Sequence, residues 1–244
     1  MNIAFYTAAS GVKTFQKGMD TLANNMANIN TNGYKEIRSA FSEQLYTNMT
    51  HYAEREGRDL KTGHGVKQIS TDVIFGQGTP MQTDRNLDFC IIGDGFFGIR
   101  TKPDNEMRYT RNGNFSLQLN GKKTNLITGS GDVLTDKKGK AIEVSVDENN
   151  NIDMEKLLNE MGIYEFDNPY ALEPEGTSLY SENERTGKAV VSKNSSVKTG
   201  MLEGSNVDMS KEMSEVIMTQ RAFQFNARVV QIADELEQTV NTLR

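Results

Sequence analysis

Residues 89–100 read FCIIGDGFFGIR, and the fold turns on how the three glycines in this stretch are used. Gly93, Gly95 and Gly98 spell G-x-G-x-x-G after an apolar run, the spacing of a dinucleotide-binding turn. Such a turn needs a helix directly after the glycines, because the pyrophosphate rests on the helix N-terminus. Here Phe96-Phe97-Gly98-Ile99 continues as a strand, and TKPDNE at 101–106 reads as a turn. No alternation of strands and helices surrounds the motif. Asp94-Gly95 instead predicts a hairpin between Ile91-Ile92 and Phe96-Phe97. The glycines therefore point to an antiparallel β domain and away from a redox enzyme.

The flanking sequence keeps the same cadence from about 70 to 204. Turn signals recur at Gly76-Gln77-Gly78, Asn112-Gly113, Asn120-Gly121, Gly129-Ser130-Gly131 and Lys138-Gly139, with short runs such as MRYT, FSLQL, VLT and AIEVSV between them. DMEKLLNEMGIYEF at 153–166 predicts a helical turn before a strand. NPYALEPEGTSLYSENERTG at 168–187 reads as a loop. Tyr109, Arg111 and Phe115 invite a reading as a site, but YTRNGNF is more simply a strand, a turn and a strand with a packed aromatic pair.

The two ends carry a different period. Apolar residues fall at Met1, Phe5, Ala8, Val12, Phe15, Met19, Leu22, Met26 and Ile29, alternating four and three apart, and Asn32-Gly33 closes the pattern. A second series runs Met218, Ala222, Phe225, Val229, Ile232, Leu236, Val240 and Leu243. Ser205 or Asn206 is the expected cap of this helix, with Asp208 in its first turn. The expected organisation is α+β: an N-terminal helical segment at 1–35, a linker with some extended structure at 36–69, a mostly antiparallel β domain at 70–204, and a C-terminal helix at 205–244. The two terminal helices are expected to pair as a coiled coil. In ANNMANINTNGYK (23–35), Asn24 and Asn28 share a face, and Asn25 lies beside them. These amides either fix the register of a helix interface or cap a fraying helix end.

Composition narrows the function. A net charge of −6 argues against a general nucleic-acid binder. Cys90 is the only cysteine and sits in an apolar run, so no internal disulfide forms and a packed thiol is expected. The two histidines, His51 and His64, give poor support to a metal site or a Ser-His-Asp triad. No catalytic, cofactor-binding or metal-binding residue is expected. The first twenty residues do not read as a secretory signal, and no window approaches a membrane span.

Four blocks carry a resemblance: ANNMANINTNGYK after the heptad, GTPMQTDRNLDFCIIGDGFFGIR (78–100), YTRNGNFSLQLNG (109–121) and GMLEGSNVDMSKEMSEVIMTQRAFQFNARVVQIADELEQTV (200–240). In this order the chain resembles the bacterial flagellar basal-body rod and hook proteins, most closely the rod group. Cys90 stands where the family often has Ala. Residues 40–68 and 150–195 match poorly, in regions that tend to distinguish rod subtypes. The resemblance implies a structural subunit and no enzyme. It implies export through the flagellar type III apparatus without a cleaved signal peptide, and residence in the basal-body rod. The implied partners are copies of itself and other rod or hook subunits, with no nucleic acid and no membrane insertion. The implied assembly is a helical tube that transmits torque. The distal rod is the expected subtype, with a proximal rod or hook-type subunit next. A free-standing binding module with helical ends is the alternative outside the family. The expected assembly interface comprises Phe5, Ala8, Val12, Phe15, Met19, Leu22, Asn24, Asn25, Met26, Asn28, Ile29, Met218, Ala222, Phe225, Val229, Ile232, Leu236, Val240 and Leu243.

Overall fold

The computed structural model describes residues 3–48, 61–101, 104–120, 123–144, 153–176, 178–192 and 195–243. Met1, His51, the turn at Gly121 and the strand expected beyond Val144 lie outside the described residues. Three helices are described: α1 (Ile3–Ala27), α2 (Met154–Glu160) and α3 (Met209–Thr242). With the central, mostly antiparallel β region they give an α+β fold. The chain forms two compact units.

The first unit holds α1, α3 and four strands, β1 (Ile37–Glu43), β2 (Tyr46–Asn48), β3 (Lys61–Gly63) and β4 (Val66–Val73). Strand β1 pairs antiparallel with β4, and β2 with β3. Helix α1 lies on the β1–β4 ribbon through hydroxyls. Thr14 Oγ1 donates to Val66 O at 3.1 Å, and Val66 N donates to Ser10 Oγ at 3.3 Å. Helix α3 runs 34 residues without Pro or Gly, and Asp208 caps it. The Asp208 carboxylate accepts from Ser210 N at 2.8 Å and from Lys211 N at 3.3 Å. The expected caps are used elsewhere. Asn206 Oδ1 accepts from Glu36 N at 2.7 Å, its Nδ2 donates to Ile74 O at 2.8 Å, and Ser205 Oγ accepts from Val207 N at 3.3 Å.

The second unit, Asn28–Glu36 with Ile74–Val207, holds α2 and the remaining strands. They are β5 (Pro80–Gln82), β6 (Phe89–Ile92), β7 (Phe96–Arg100), β8 (Met107–Thr110), β9 (Phe115–Asn120), β10 (Lys123–Thr128), β11 (Val133–Leu134), β12 (Glu143–Val144), β13 (Ile163–Glu165), β14 (Glu173–Gly176), β15 (Leu179–Ser181), β16 (Val190–Val191), β17 (Ser196–Thr199) and β18 (Met201–Glu203). The main sheet runs β12-β10-β11-β7-β8-β15-β14, with β9, β13 and β16 attached to its side. Strand β7 is its centre and is buried on both faces. Phe97 and Ile99 point into an apolar core with Phe89, Ile91, Phe115, Leu126 and Leu134. Phe96 faces the other way, into an aromatic cluster. Its ring lies 5.2 Å from Phe75 and 5.8 Å from Tyr180.

The glycine motif resolves into two roles. Gly93 and Gly95 hold φ of 102° and 127°, the left-handed region that admits glycine. Gly98 has no room for a side chain, since a Cβ there would meet the Tyr164 ring at 2.4 Å. Strand β7, and not a helix, follows the glycines, so the motif carries no phosphate-binding helix terminus. The predicted hairpin is also absent: β6 pairs with β17, while β7 pairs with β8, β11 and β13. The turn thus passes the chain from one sheet to another, with Asp94 O accepting a hydrogen bond from Ser195 Oγ. The predicted loop at 168–187 contains β14 and β15, because Leu179 and Tyr180 are buried against β8. Tyr109 and Phe115 do not form a pair. Tyr109 packs on Phe166, and Phe115 on Phe97.

Candidate assembly interface

Helices α1 and α3 pack antiparallel along a seam of small and polar residues. A Cβ on Gly11 would meet Asn226 Oδ1 at 2.7 Å, and one on Gly18 would lie 3.9 Å from Thr219 Cγ2. Asn25 Nδ2 donates to Glu212 Oε2 at 3.2 Å, with both residues 1% exposed. The three meeting points advance by seven residues along α1 and retreat by seven along α3. Seven residues are about two helical turns, so the same faces stay in contact along the pair. Ala233, seven beyond Asn226, is buried as well.

Asn25 does a second job. Its Nδ2 donates to Ile37 O at 2.8 Å, and its Oδ1 accepts from Ile37 N at 3.0 Å. The amide therefore satisfies both backbone groups of the residue that opens β1 while holding α3. Asn28 lies past the end of α1, where its carbonyl accepts from Thr31 N at 3.0 Å. Asn24 is exposed.

The apolar heptads lie beside this seam. On α1, Ala8 and Leu22 are buried, Val12, Phe15, Met19 and Met26 are half-buried, and Phe5 is exposed. Ile29 is half-buried beyond the helix end. Phe15 turns toward the ribbon, its ring 6.4 Å from that of Phe41. On α3, Ala222 and Val229 are half-buried, while Met218, Phe225, Ile232, Leu236, Val240 and Leu243 are 56–83% exposed. The row Met218, Phe225, Ile232 also repeats every seven residues, six positions on from Glu212, Thr219 and Asn226. At 3.6 residues per turn it is rotated about 120° from the seam. Gly11, Gly18, Glu212, Thr219 and Asn226 escape an apolar-pattern reading, although their seven-residue spacing is visible in the sequence.

In the second unit the loop after α1 is fastened by buried charge. Lys35 Nζ lies 2.6 Å from Glu203 Oε1 and donates to Gly76 O at 2.7 Å. Glu203 Oε1 also accepts from Gly78 N at 2.8 Å, and its Oε2 accepts from Arg111 Nη1 at 3.3 Å. The Arg111 guanidinium stands 5.3 Å over the Phe96 ring. Burial lowers the pKa of Lys35 below the usual lysine value, with Glu203 opposing the shift. Gly33, at φ 71°, donates its N–H to Glu203 O at 2.7 Å. Burial likewise pushes the Cys90 thiol up, which makes it a packing residue and a poor nucleophile.

Among the described residues no group of three or more His, Cys, Asp or Glu could hold a metal ion. None of the described helices is long and apolar enough to cross a membrane.

Three family descriptions match the chain in order: "Flagella basal body rod protein" over residues 5–35, "Flagellar hook protein FlgE/F/G D1 domain" over 90–163, and "Flagellar basal body rod FlgEFG protein C-terminal" over 198–243. Among similar proteins, the flagellar basal-body rod protein FlgG of Borreliella burgdorferi is 32% identical, covering 99% of this chain and 98% of its own. The chain belongs to the flagellar basal-body rod protein family. The FlgG proteins of Bacillus subtilis (32% identical, 99% of this chain and 98% of its own) and Agrobacterium fabrum (33%, 98% of each) are similar over the same extent. The rod family is a structural one, with no enzyme activity attached to its name. The buried charge cluster draws one residue from each matched segment: Lys35 from the first, Arg111 from the second and Glu203 from the third.

Proposed function

We propose that the chain is a structural subunit of the flagellar basal-body rod, part of the flagellum. In this reading the exposed apolar rows of its terminal helices are covered by other copies and by neighbouring rod or hook subunits. The observation that carries it is the row from Met218 to Leu243, six large apolar residues left in water by the isolated chain. Side chains of this size each contribute about 1.5–3 kcal/mol when buried. A row that recurs along a long helix suits a contact that repeats without closing, which generates a helical filament.

The finer reading rests on the same face. Residues 1–35 and 205–244 form the inner layer and associate as coiled coils with those of adjacent copies. Residues 70–204 lie outside it, and 36–69 connect the two. The subunit leaves the cell interior unfolded through the type III export apparatus without a cleaved leader. The assembled tube transmits torque. Full-length similarity to FlgG proteins favours the distal rod over a proximal rod or hook-type subunit. To test it, Phe225→Cys is introduced and basal bodies are purified. Intersubunit disulfides through position 225 in the rod, absent from dilute monomer, are expected. A rod without this chain, or one with position 225 freely alkylated, overturns the reading.

A further inference from the structure

We infer that Asn25 and Glu212 are the register-specifying pair of α1 and α3, and that they thereby decide how far along α1 the free face of α3 is presented to partners. The seam is otherwise permissive. Gly11 and Gly18 both lie seven residues from the next seam position, so a slip of one heptad would set Asn226 against a glycine again, Gly18 in place of Gly11, with the Phe41 ring beside it. The glycine spacing alone therefore does not distinguish the native register from its neighbour. The polar pair does. A slip of one heptad in that direction brings Asn25 opposite Thr219 and removes the buried Glu212 carboxylate from its 3.2 Å amide donor. Taking a donor away from a buried carboxylate is costly. The opposite slip sets Gly18 against Glu212 and takes Asn25 past the start of α3.

Asn25 is held against slippage independently of α3. Its two bonds to Ile37 fix the amide in place, so Glu212 meets a donor whose position the ribbon has already set. Slips of one or three residues toward the start of α3 set Phe225 or Phe223 against Gly11, where even Asn226 approaches within 2.7 Å of the Cβ position. One buried polar position specifying register within a pairing that otherwise tolerates several is a known device of helix pairs. Here it acts by setting where α3 stands along α1, and touches no partner itself.

The test uses the full-length monomer carrying Gly18→Cys with either Thr219→Cys or Asn226→Cys, the first reporting the native register and the second the slipped one. With Asn25 and Glu212 intact, oxidation is expected to link only the first pair. Adding Asn25→Ala is expected to lower the ratio of native to slipped cross-link about tenfold, equivalent to about 1.4 kcal/mol. Glu212→Gln, which keeps an acceptor oxygen, is expected to preserve the ratio, and this separates register from general stability. An unchanged ratio in Asn25→Ala overturns the inference, as does an equal loss of both cross-links with helicity retained. The consequence for assembly rests on the rod reading above. Swimming by cells with Asn25→Ala measures that reading separately, whereas the monomer cross-link measures the pair alone.

Discussion

The Lys35 ammonium lies 2.6 Å from the Glu203 carboxylate with both side chains fully withdrawn from water, and Arg111 closes on the other oxygen of the same carboxylate at 3.3 Å. Two cations thus share one anion. Removing the anion leaves two buried positive charges without their partner, whereas removing Lys35 leaves Glu203 bound to Arg111 and to Gly78 N–H. Glu203→Ala is expected to destabilise the second unit by about 3–5 kcal/mol, the cost of breaking a buried pair from one side. Lys35→Met is expected to cost clearly less. Denaturant unfolding of both variants decides it, and equal losses would contradict the shared-anion account.

Gly98→Ala is expected to destabilise by about 1–3 kcal/mol, because the new methyl must displace the Tyr164 ring or Thr135. Gly129→Ala, where nothing stands within 4 Å and φ is not in the left-handed region, is expected to be close to neutral. Thermal melts of the two variants compare the same chemical change with and without an obstacle.

Phe225→Ser is expected to leave the monomer's unfolding midpoint almost unchanged, within about 0.5 kcal/mol, since the ring is 68% exposed. Phe97→Ser at the fully buried centre of β7 is expected to cost at least about 3 kcal/mol. In cells the order of cause differs: the first variant folds and fails to assemble, while the second fails to fold. Melting curves beside rod assembly in the two strains separate the cases, and normal assembly by Phe225→Ser would count against the exposed face as a contact.

Burial raises the pKa values of Tyr109, Tyr164 and Tyr180, with the Glu182 carboxylate adding to the shift at Tyr109. A phenol with a raised folded pKa contributes stability that is fully present below its unfolded value of about 10 and is lost as pH rises through the folded one. Lys35 has the opposite sign. Its lowered pKa makes the folded state gain as pH rises, and that gain is complete by its ordinary value of 10.5. Above this pH the phenols act together with the buried Cys90 thiol, whose raised pKa has the same sign, so stability is expected to fall steeply. Tyrosinate absorbance is expected to show these three groups ionising together with loss of ellipticity, and their ionisation in a still-folded chain would refute the assignment.

Several parts of the fold were legible because local chemistry dictates them. A 34-residue stretch without Pro or Gly and with a heptad period has few alternatives to a helix, and α3 forms there. The strand through Gly98 occupies the place where a dinucleotide turn would need its helix, and that much is plain from the sequence around the glycines. Other parts were not legible. Whether β6 and β7 pair with each other depends on which distant strands compete for their edges, and Ser196–Thr199 takes β6. The cap of α3 shifted to Asp208 because Asn206 is committed to Glu36 and Ile74. Lys35 and Arg111 look like ordinary surface cations until Glu203, far along the chain, brings them together.

The sequence by itself determined the terminal helices, the antiparallel β character of the middle and the family, since each rests on periodicities and motifs read over short spans. Only the tertiary structure decided which stripe of each helix faces its mate. Both the apolar and the small-and-polar residues repeat every seven positions, and a repeat specifies a face without saying what covers it. Close approach at Gly11 and Gly18 and the hydrogen bonds of Asn25 give the inner stripe to the hairpin, and this leaves Phe225 and its neighbours turned outward.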